Sequence, residues 1–176
     1  MGKIIAIANQ KGGVGKTTTA INLSASLAAI NRKVLLIDLD PQSNASMGCG
    51  ITDSKNKTIR QVLLNEINIL EACIHLPFGF SLIPADNNLT GLQIQLLRFN
   101  QQEQILKQAL QSIKDNYDFI FIDCPPTLST LTLNALVAAD SVLIPVQCEY
   151  YSLEGLAGLL STIDQCRHTV NTKLTI

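Results

Sequence analysis

The chain carries little charge of either sign. Of its 176 residues, Asp, Glu, Lys and Arg make up only 15%, and the formal net charge is −1. Such a chain lacks the broad positive field that attracts nucleic acid or anionic lipid, so any contact with these partners has to be local. With 47% hydrophobic residues, the composition is typical of a globular domain with a substantial core. The length favours a single domain over residues 1–176.

The five cysteines form no C-x-x-C pair and no pattern with paired histidines. A structural zinc site or a disulfide framework is therefore not expected, and we interpret the cysteines as reduced core or loop thiols. Long apolar runs are also missing, because Asn, Ser, Lys or Asp interrupts each one well before the ~20 residues of a membrane span. A strand-like segment begins at Lys3 and leaves no room for a signal peptide. These absences predict a soluble cytoplasmic protein.

Short apolar segments alternate with longer helix-like segments. Because the short segments are apolar on both faces, they are typical of strands in a parallel sheet with helices on both sides. The predicted strands are KIIAIA (3–8), KVLLID (33–38), FSLIPA (80–85), YDFIFID (117–123) and DSVLIPV (140–146). The spacing of apolar residues predicts helices over 17–30, from about 101 to 113, and through a stripe at 153–163. The sequence predicts an α/β fold in which 44–79 is an elaborated connection with a short helix at 58–65.

A glycine-rich segment follows the first predicted strand. In KGGVGKTT, residues 11–18, three glycines precede Lys16 and Thr17 at a turn between a strand and a helix. Glycines let backbone N–H groups approach phosphate oxygens, and the start of the helix adds positive potential. We expect Lys16 to reach the β- and γ-phosphates and the Thr17 hydroxyl to bind Mg²⁺. The predicted phosphate-binding residues are Gly12, Gly13, Val14, Gly15, Lys16, Thr17 and Thr18.

The segment differs from the usual pattern G-x-x-x-x-G-K-[ST] at its start. Gln10 stands where the first glycine is expected, and a second lysine, Lys11, precedes the glycines. The flexible Lys11 side chain would project across the phosphates toward whatever faces the loop. From a second subunit it could offset charge that develops on the γ-phosphate, as an arginine finger does in trans. Lys11 is therefore a nucleotide-binding and a catalytic candidate, and the alternative is a solvated loop residue.

Three aspartates end predicted strands beside this loop. Asp38 and Asp40 lie in LLIDLDPQSNAS at the carboxyl edge of the sheet, where ligands bind in open α/β folds, and their side chains should point to opposite sides. Asp123 ends a hydrophobic strand in the Walker B arrangement and is expected to hold Mg²⁺. The alternative for Asp40 is that Asp-Pro is only a turn signal and that the Asp40 side chain caps a helix by accepting backbone N–H bonds. For Asp123 it is a capping acid at the end of a buried strand.

The segment KGGVGKTT resembles the deviant Walker A motif of the ParA/Soj/MinD superfamily, in which a lysine precedes the glycines and the first Walker glycine is absent. DLDPQSNAS (38–46) and PVQCEYYSLEGL (145–156) resemble the ParA/Soj branch. The resemblance implies a three-layer P-loop NTPase fold and an ATP-sandwich dimer in which Lys11 acts across the interface. It also implies that Asp40 positions or activates the attacking water and that Asp38 helps to hold the magnesium shell.

By this resemblance the chain is a slow, partner-stimulated Mg-ATPase that acts in plasmid or chromosome segregation. The implied partners are a second copy of the chain, a ParB-like partition-site binding protein and, in a longer form, non-specific DNA of the nucleoid, but no membrane. Thr127 would belong to a segment that senses the γ-phosphate. Glu149, Tyr150 and Tyr151 would lie near the dimer face or form a packed turn.

Three alternatives remain open at this stage. The chain could be a non-catalytic, nucleotide-dependent regulatory or adaptor module. A MinD-like positioning ATPase would need an amphipathic C-terminal helix, which this sequence lacks. A cluster bridged between subunits, as in the nitrogenase iron protein, would need cysteine ligands such as Cys124, for which no pairing is established. Since family members continue for several tens of residues and TKLTI (172–176) resembles the start of a strand, we expect the C-terminal part of the fold to be missing.

Overall fold

A computed structural model describes residues 2–54, 57–96, 98–149 and 152–176, with the backbone alone at 93, 94 and 152–154. The strands are β1 (Lys3–Ile7), β2 (Val34–Asp38), β3 (Ile74–His75), β4 (Ser81–Ile83), β5 (Phe119–Asp123) and β6 (Ser141–Leu143). The helices are α1 (Lys16–Ala29), α2 (Asn44–Gly48), α3 (Ile59–Leu63), α4 (Leu92–Leu96), α5 (Ile105–Gln111), α6 (Thr130–Ala138) and α7 (Ser152–Thr169). Short 3-10 turns occupy Ile69–Ala72, Asn87–Gly91, Gln102–Gln104 and Lys114–Asn116.

The strands form one sheet in the order β3-β4-β2-β5-β1-β6. Neighbouring strands run parallel except β3, which is antiparallel to β4. Each of the predicted strands is present, so the mostly parallel sheet is confirmed. The sequence did not reveal β3, because its two residues are too few to produce a periodic pattern. At the far edge, Thr175 forms a parallel bridge with Ser141, which confirms the strand-like character of the last residues.

The sheet is covered on both faces. Leu35 and Ile37 face one apolar cluster, which also contains buried side chains of α3, α5, α6 and α7. Leu36 faces the second cluster, which is built on α1 and α2. Every residue of β2 is buried, as expected for a central strand with helices on either side. The predicted three-layer arrangement is therefore confirmed.

Four helices, α1, α3, α5 and α7, lie on predicted segments, although α7 continues past the predicted stripe to Thr169, and α2, α4 and α6 were not predicted. α1 begins at Lys16, directly after the glycine-rich loop, and α3 begins after Thr58, whose side chain and that of Gln61 form a capping box. The helix predicted from about 101 begins as a 3-10 turn and becomes α-helical only at Ile105. None of the described helices is long and apolar enough to cross a membrane.

Candidate nucleotide site

The loop between β1 and α1 forms an open cradle at the carboxyl edge of the sheet. Gly13 has φ +73° and Gly15, which caps α1, has φ +93°. Both values lie in the left-handed region, where a side chain is strained, so the course of the loop depends on glycine at these two positions. The first N–H groups of α1 have no partner within the helix. In P-loop proteins, such N–H groups face the bound phosphate.

A cavity of about 430 Å³ lies over this loop. Its lining residues are Gly12, Gly13, Gly15, Lys16, Thr17, Thr18, Asp40, Gln42, Asn44 and Pro126. The structure therefore brings the predicted phosphate loop together with Asp40. Sequence reasoning did not assign Gln42, Asn44 or Pro126, although the first two lie within the DLDPQSNAS motif and Pro126 follows the Walker B strand.

Lys16 is a buried cation in this cavity. Its Nζ donates a hydrogen bond to the carbonyl oxygen of Lys11, 3.2 Å away. Burial lowers the pKa of the Lys16 ammonium, and the nearby carboxylates of Asp123 and Asp40 partly oppose that effect. A desolvated ammonium next to glycine N–H groups matches the chemistry of phosphate recognition.

Asp123 is fully buried at the end of β5. Neither of its carboxylate oxygens has a hydrogen-bond partner of good geometry among the described residues. Burial raises the pKa of Asp123 to about 7; the Thr17 hydroxyl lowers it, the charges of Asp38 and Asp40 raise it, and Lys16 lowers it. A buried acid beside a threonine hydroxyl provides the oxygen ligands that Mg²⁺ prefers.

Asp38, which pairs with Asp123 in the register of β2 and β5, is also fully buried but has hydrogen-bond donors. Its Oδ2 accepts bonds from the N–H and the hydroxyl of Ser46, at 2.8 and 2.7 Å, and its Oδ1 accepts the N–H of Asp40 at 3.2 Å. Burial raises the pKa of Asp38 to about 6 against these bonds. Asp38 can therefore influence a cation through its charge, while its oxygens hold the segment that contains Asp40.

Asp40 lies at the turn that follows β2. Its Oδ1 accepts the N–H of Gln42 at 2.9 Å, and its carbonyl accepts the N–H of Ser43. The turn of that alternative is realised, but Asp40 caps no helix, because Ser43 is the residue that precedes α2, and the Asp40 side chain lines the phosphate cavity. The hydrogen bond leaves Oδ2 of Asp40 available, so one carboxylate can brace the turn and still accept a proton or orient a water.

The segment after β6 packs against the phosphate loop. Asn9 donates from its side chain to the carbonyl of Pro145 at 2.8 Å, and Gln147 donates to the carbonyl of Gly13 at 3.0 Å. Lys11 forms an ion pair with Glu149, with Nζ and Oε2 2.7 Å apart. Glu149 therefore contacts the loop within its own chain. Tyr150 and Tyr151, predicted near a dimer face, lie outside the described residues.

Gln10, in place of the first Walker glycine, packs against α7. A β-carbon added to Gly155 would lie 3.5 Å from the β-carbon of Gln10, and one added to Gly158 would lie 2.9 Å from Gln10 Oε1. These two glycines of α7 make room for the glutamine side chain. The departure from the usual pattern therefore has a packing role as well: it joins the start of the loop to a helix far away in sequence.

The described residues contain no cluster of three or more His, Cys, Asp or Glu arranged to hold a metal ion. Cys124, next to Asp123, is fully buried, and burial raises the pKa of its thiol well above the ordinary value. Its surroundings are those of an unreactive core thiol.

Comparison with known proteins gives the family. The sequence model of a family described as an AAA domain matches residues 2–176. The chain is 49% identical over 178 residues to the sporulation initiation inhibitor protein Soj of Bacillus subtilis, covering 100% of this chain and 70% of Soj. The chain belongs to the ParA/Soj family. It is also 52% identical over 176 residues to the chromosome partitioning protein ParA of Myxococcus xanthus, covering 99% of this chain and 62% of that protein.

A solved structure of this ParA/Soj-like fold carries nucleotide and metal. Cobyrinic acid a,c-diamide synthase from Mycobacterium smegmatis, with a bound ATP analogue and magnesium, superposes with a TM-score of 0.94 at 38% identity. The match covers 99% of this chain and 72% of that one. It confirms the P-loop NTPase architecture of the chain. The name of that protein describes a synthase reaction, whereas the relatives named Soj and ParA share a larger fraction of identical residues with this chain.

Proposed function

We propose that the chain binds and hydrolyses Mg-ATP and works as a partition ATPase in the segregation of a plasmid or chromosome. The observation that supports this most is the buried Asp123 carboxylate, which has no partner of good geometry among the described residues and lies beside Thr17 and Lys16. A buried charge of this kind is costly unless a cation neutralises it. The Soj and ParA relatives provide the biological context.

The residues of the loop would hold the triphosphate. The N–H groups of Gly12, Gly13 and Gly15, which line the cavity, would bind phosphate oxygens, and Lys16 would exchange its bond to the Lys11 carbonyl for one to the β- and γ-phosphates. Thr17 and Asp123 would hold the magnesium ion, and Asp38 would add negative charge near it. When bound, Mg²⁺ supplies charge that offsets the developing negative charge on the phosphoryl oxygens.

Asp40 would position the attacking water. It lines the phosphate cavity, and one of its oxygens is braced by the N–H of Gln42. Such bracing fixes the carboxylate and leaves the other oxygen for the water, which is the positioning that phosphoryl transfer requires. Lys11 would act from a second subunit, where its ammonium offsets charge on the partner's γ-phosphate.

In a cell, we propose a cytoplasmic protein that dimerises on ATP, meets a ParB-like partition-site binding protein that stimulates hydrolysis and, in a longer form, uses non-specific DNA as its matrix. The test is ATP turnover measured with the purified chain, alone and with a ParB-like partition-site binding protein. We expect slow turnover that the partner increases. Tight Mg-ATP binding without turnover under either condition would instead identify a non-catalytic adaptor module.

The substitution Lys11→Ala distinguishes nucleotide binding from ATP-dependent dimerisation. The variant should bind nucleotide as a monomer and lose both ATP-dependent dimerisation and turnover, which size-exclusion chromatography with light scattering would detect. An unchanged dimer with unchanged turnover would make Lys11 a solvated loop residue.

A further inference from the structure

Ser46 in α2 connects the buried acid at the end of β2 to a neighbouring strand. Its hydroxyl donates to Oδ2 of Asp38 at 2.7 Å, and its N–H donates to the same oxygen at 2.8 Å. The same hydroxyl accepts the N–H of Ala85, which follows β4, at 3.0 Å. Ser46 is only 2% exposed, so water does not replace these bonds easily.

The other oxygen of Asp38 reaches the catalytic candidate. Oδ1 of Asp38 accepts the N–H of Asp40. The side chains of Ser46, Asp38 and Asp40 are all buried, and Asp40 is 7% exposed. The bonds therefore run without interruption from Ala85 through Ser46 and Asp38 to the backbone of Asp40. An Asp40 carboxylate that is to orient a water needs its backbone fixed to within a fraction of an ångström.

We infer that Ser46 is a positioning residue for ATP hydrolysis, which acts on Asp40 through Asp38. The inference depends on the proposed function, since it takes Asp40 as the residue that positions water. Ser46 touches neither the loop glycines nor Lys16 in any described hydrogen bond, so its effect should concern the hydrolytic step and leave the phosphate cradle unchanged.

Removal of the Ser46 hydroxyl has two separate consequences in this network. The carboxylate of Asp38 loses a charge-assisted hydrogen bond, and the N–H of Ala85 loses its acceptor. Oδ2 of Asp38 then keeps only the backbone N–H of residue 46, so the carboxylate is held less firmly and the bond that holds the Asp40 backbone weakens. The structure offers a matched comparison in Ser24, which is fully buried and whose hydroxyl donates to the Ala20 carbonyl within α1 at 2.7 Å.

The experiment measures Mg-ATP turnover and KM for Ser46→Ala, Ser24→Ala, Asp40→Ala and the double variant Ser46→Ala/Asp40→Ala. We expect Ser46→Ala to lower kcat by about tenfold or more with KM unchanged, as for the loss of a hydrogen bond to a charged group that acts only in the reaction step. Ser24→Ala should keep the wild-type kcat. Because Asp40→Ala is itself expected to lose hydrolysis, the double variant is compared with Asp40→Ala by its affinity for Mg-ATP, which the Ser46 substitution should leave unchanged.

Loss of folding is controlled by titrating Mg-ATP and normalising turnover to bound nucleotide. A wild-type kcat in Ser46→Ala, or a raised KM with kcat unchanged, would overturn the inference. So would a weaker affinity for Mg-ATP in the double variant than in Asp40→Ala, since Ser46 would then act on nucleotide binding and not through Asp40. If Asp40→Ala itself turns over ATP at the wild-type rate, the proposed role of Asp40 is wrong. If Asp40→Ala loses turnover but Ser46→Ala keeps the wild-type kcat, the proposed function stands and only the role of Ser46 is rejected.

Discussion

Lys11 and Glu149 are 138 positions apart in sequence, yet Nζ of the lysine lies 2.7 Å from Oε2 of the glutamate in the same chain. The lysine side chain is 28% exposed and the glutamate side chain 61%. In the proposed dimer, Lys11 reaches the nucleotide of the other subunit. The ion pair within one chain and the contact across the interface therefore compete for one ammonium group.

Glu149→Gln should make dimerisation easier. The substitution removes the ion pair while keeping a side chain of the same size, so less free energy is lost when Lys11 turns to the partner. Because an exposed ion pair contributes at most about 1 kcal/mol, the ATP concentration that gives half-maximal dimer should fall by no more than about fivefold. Light scattering at increasing ATP measures it, with the exposed Glu66→Gln as the control. A higher ATP requirement in Glu149→Gln would indicate that Glu149 supports the dimer instead.

Lys16→Ala should abolish tight Mg-ATP binding. The ammonium is buried in the phosphate cavity, and a charge-assisted bond to a phosphate there is worth roughly 1.5–3 kcal/mol. Equilibrium titration with a fluorescent ATP analogue tests this, with the exposed Lys173→Ala as a control for the loss of one positive charge. If Lys16→Ala kept the wild-type affinity for Mg-ATP, the loop would not be the phosphate-binding site.

Asp40→Ala should retain ATP binding and ATP-dependent dimerisation but lose hydrolysis. The glycines, Lys16 and Thr17 are unchanged in this variant, whereas the carboxylate that would orient the water is gone. Turnover under saturating Mg-ATP and dimer formation are measured on the same sample. Parallel loss of binding and turnover would mean that Asp40 supports the shape of the cavity and not the reaction step.

The sheet was predictable because its central strands carry their own signal. Every residue of β2 is buried, so its sequence is apolar on both faces and no tertiary information is needed to recognise it. The phosphate loop was equally predictable from the sequence, because Gly13 and Gly15 have positive φ values that only glycine adopts without strain.

The rest of the site depends on contacts between distant parts of the chain. The ion pair of Lys11 with Glu149 and the packing of Gln10 between the glycines of α7 follow from how β6 and α7 return to the loop. Ser46 is an ordinary serine in sequence, and its role appears only when α2 places it over Asp38. No local pattern of residue types distinguishes these side chains from exposed polar ones.

Asp123→Asn should change the pH dependence of stability. The pKa of Asp123 is raised by burial to about 7 in the folded chain, from 3.8. The folded state thus binds this proton more tightly than the unfolded state, so the group favours folding at low pH, and this contribution is lost as the pH rises from about 4 to about 7. Each pH unit in that interval costs up to about 1.4 kcal/mol for one proton.

Asparagine has the same shape and no charge, so Asp123→Asn escapes this loss. We expect the variant to gain stability over the wild type at about pH 8 and to gain little at about pH 4, measured by thermal unfolding without nucleotide. The neighbouring Asp38, with its pKa raised to about 6, titrates in both proteins, but in Asp123→Asn it does so without the charge of Asp123 beside it, which adds to the gain at the higher pH. Mg-ATP should make the wild type more stable than Asp123→Asn at the higher pH, because only the wild type gains binding free energy through the magnesium ion. If the wild type and Asp123→Asn differed in Tm by the same amount at every pH, the Asp123 carboxylate would carry no burial penalty. It would then need no cation beside it.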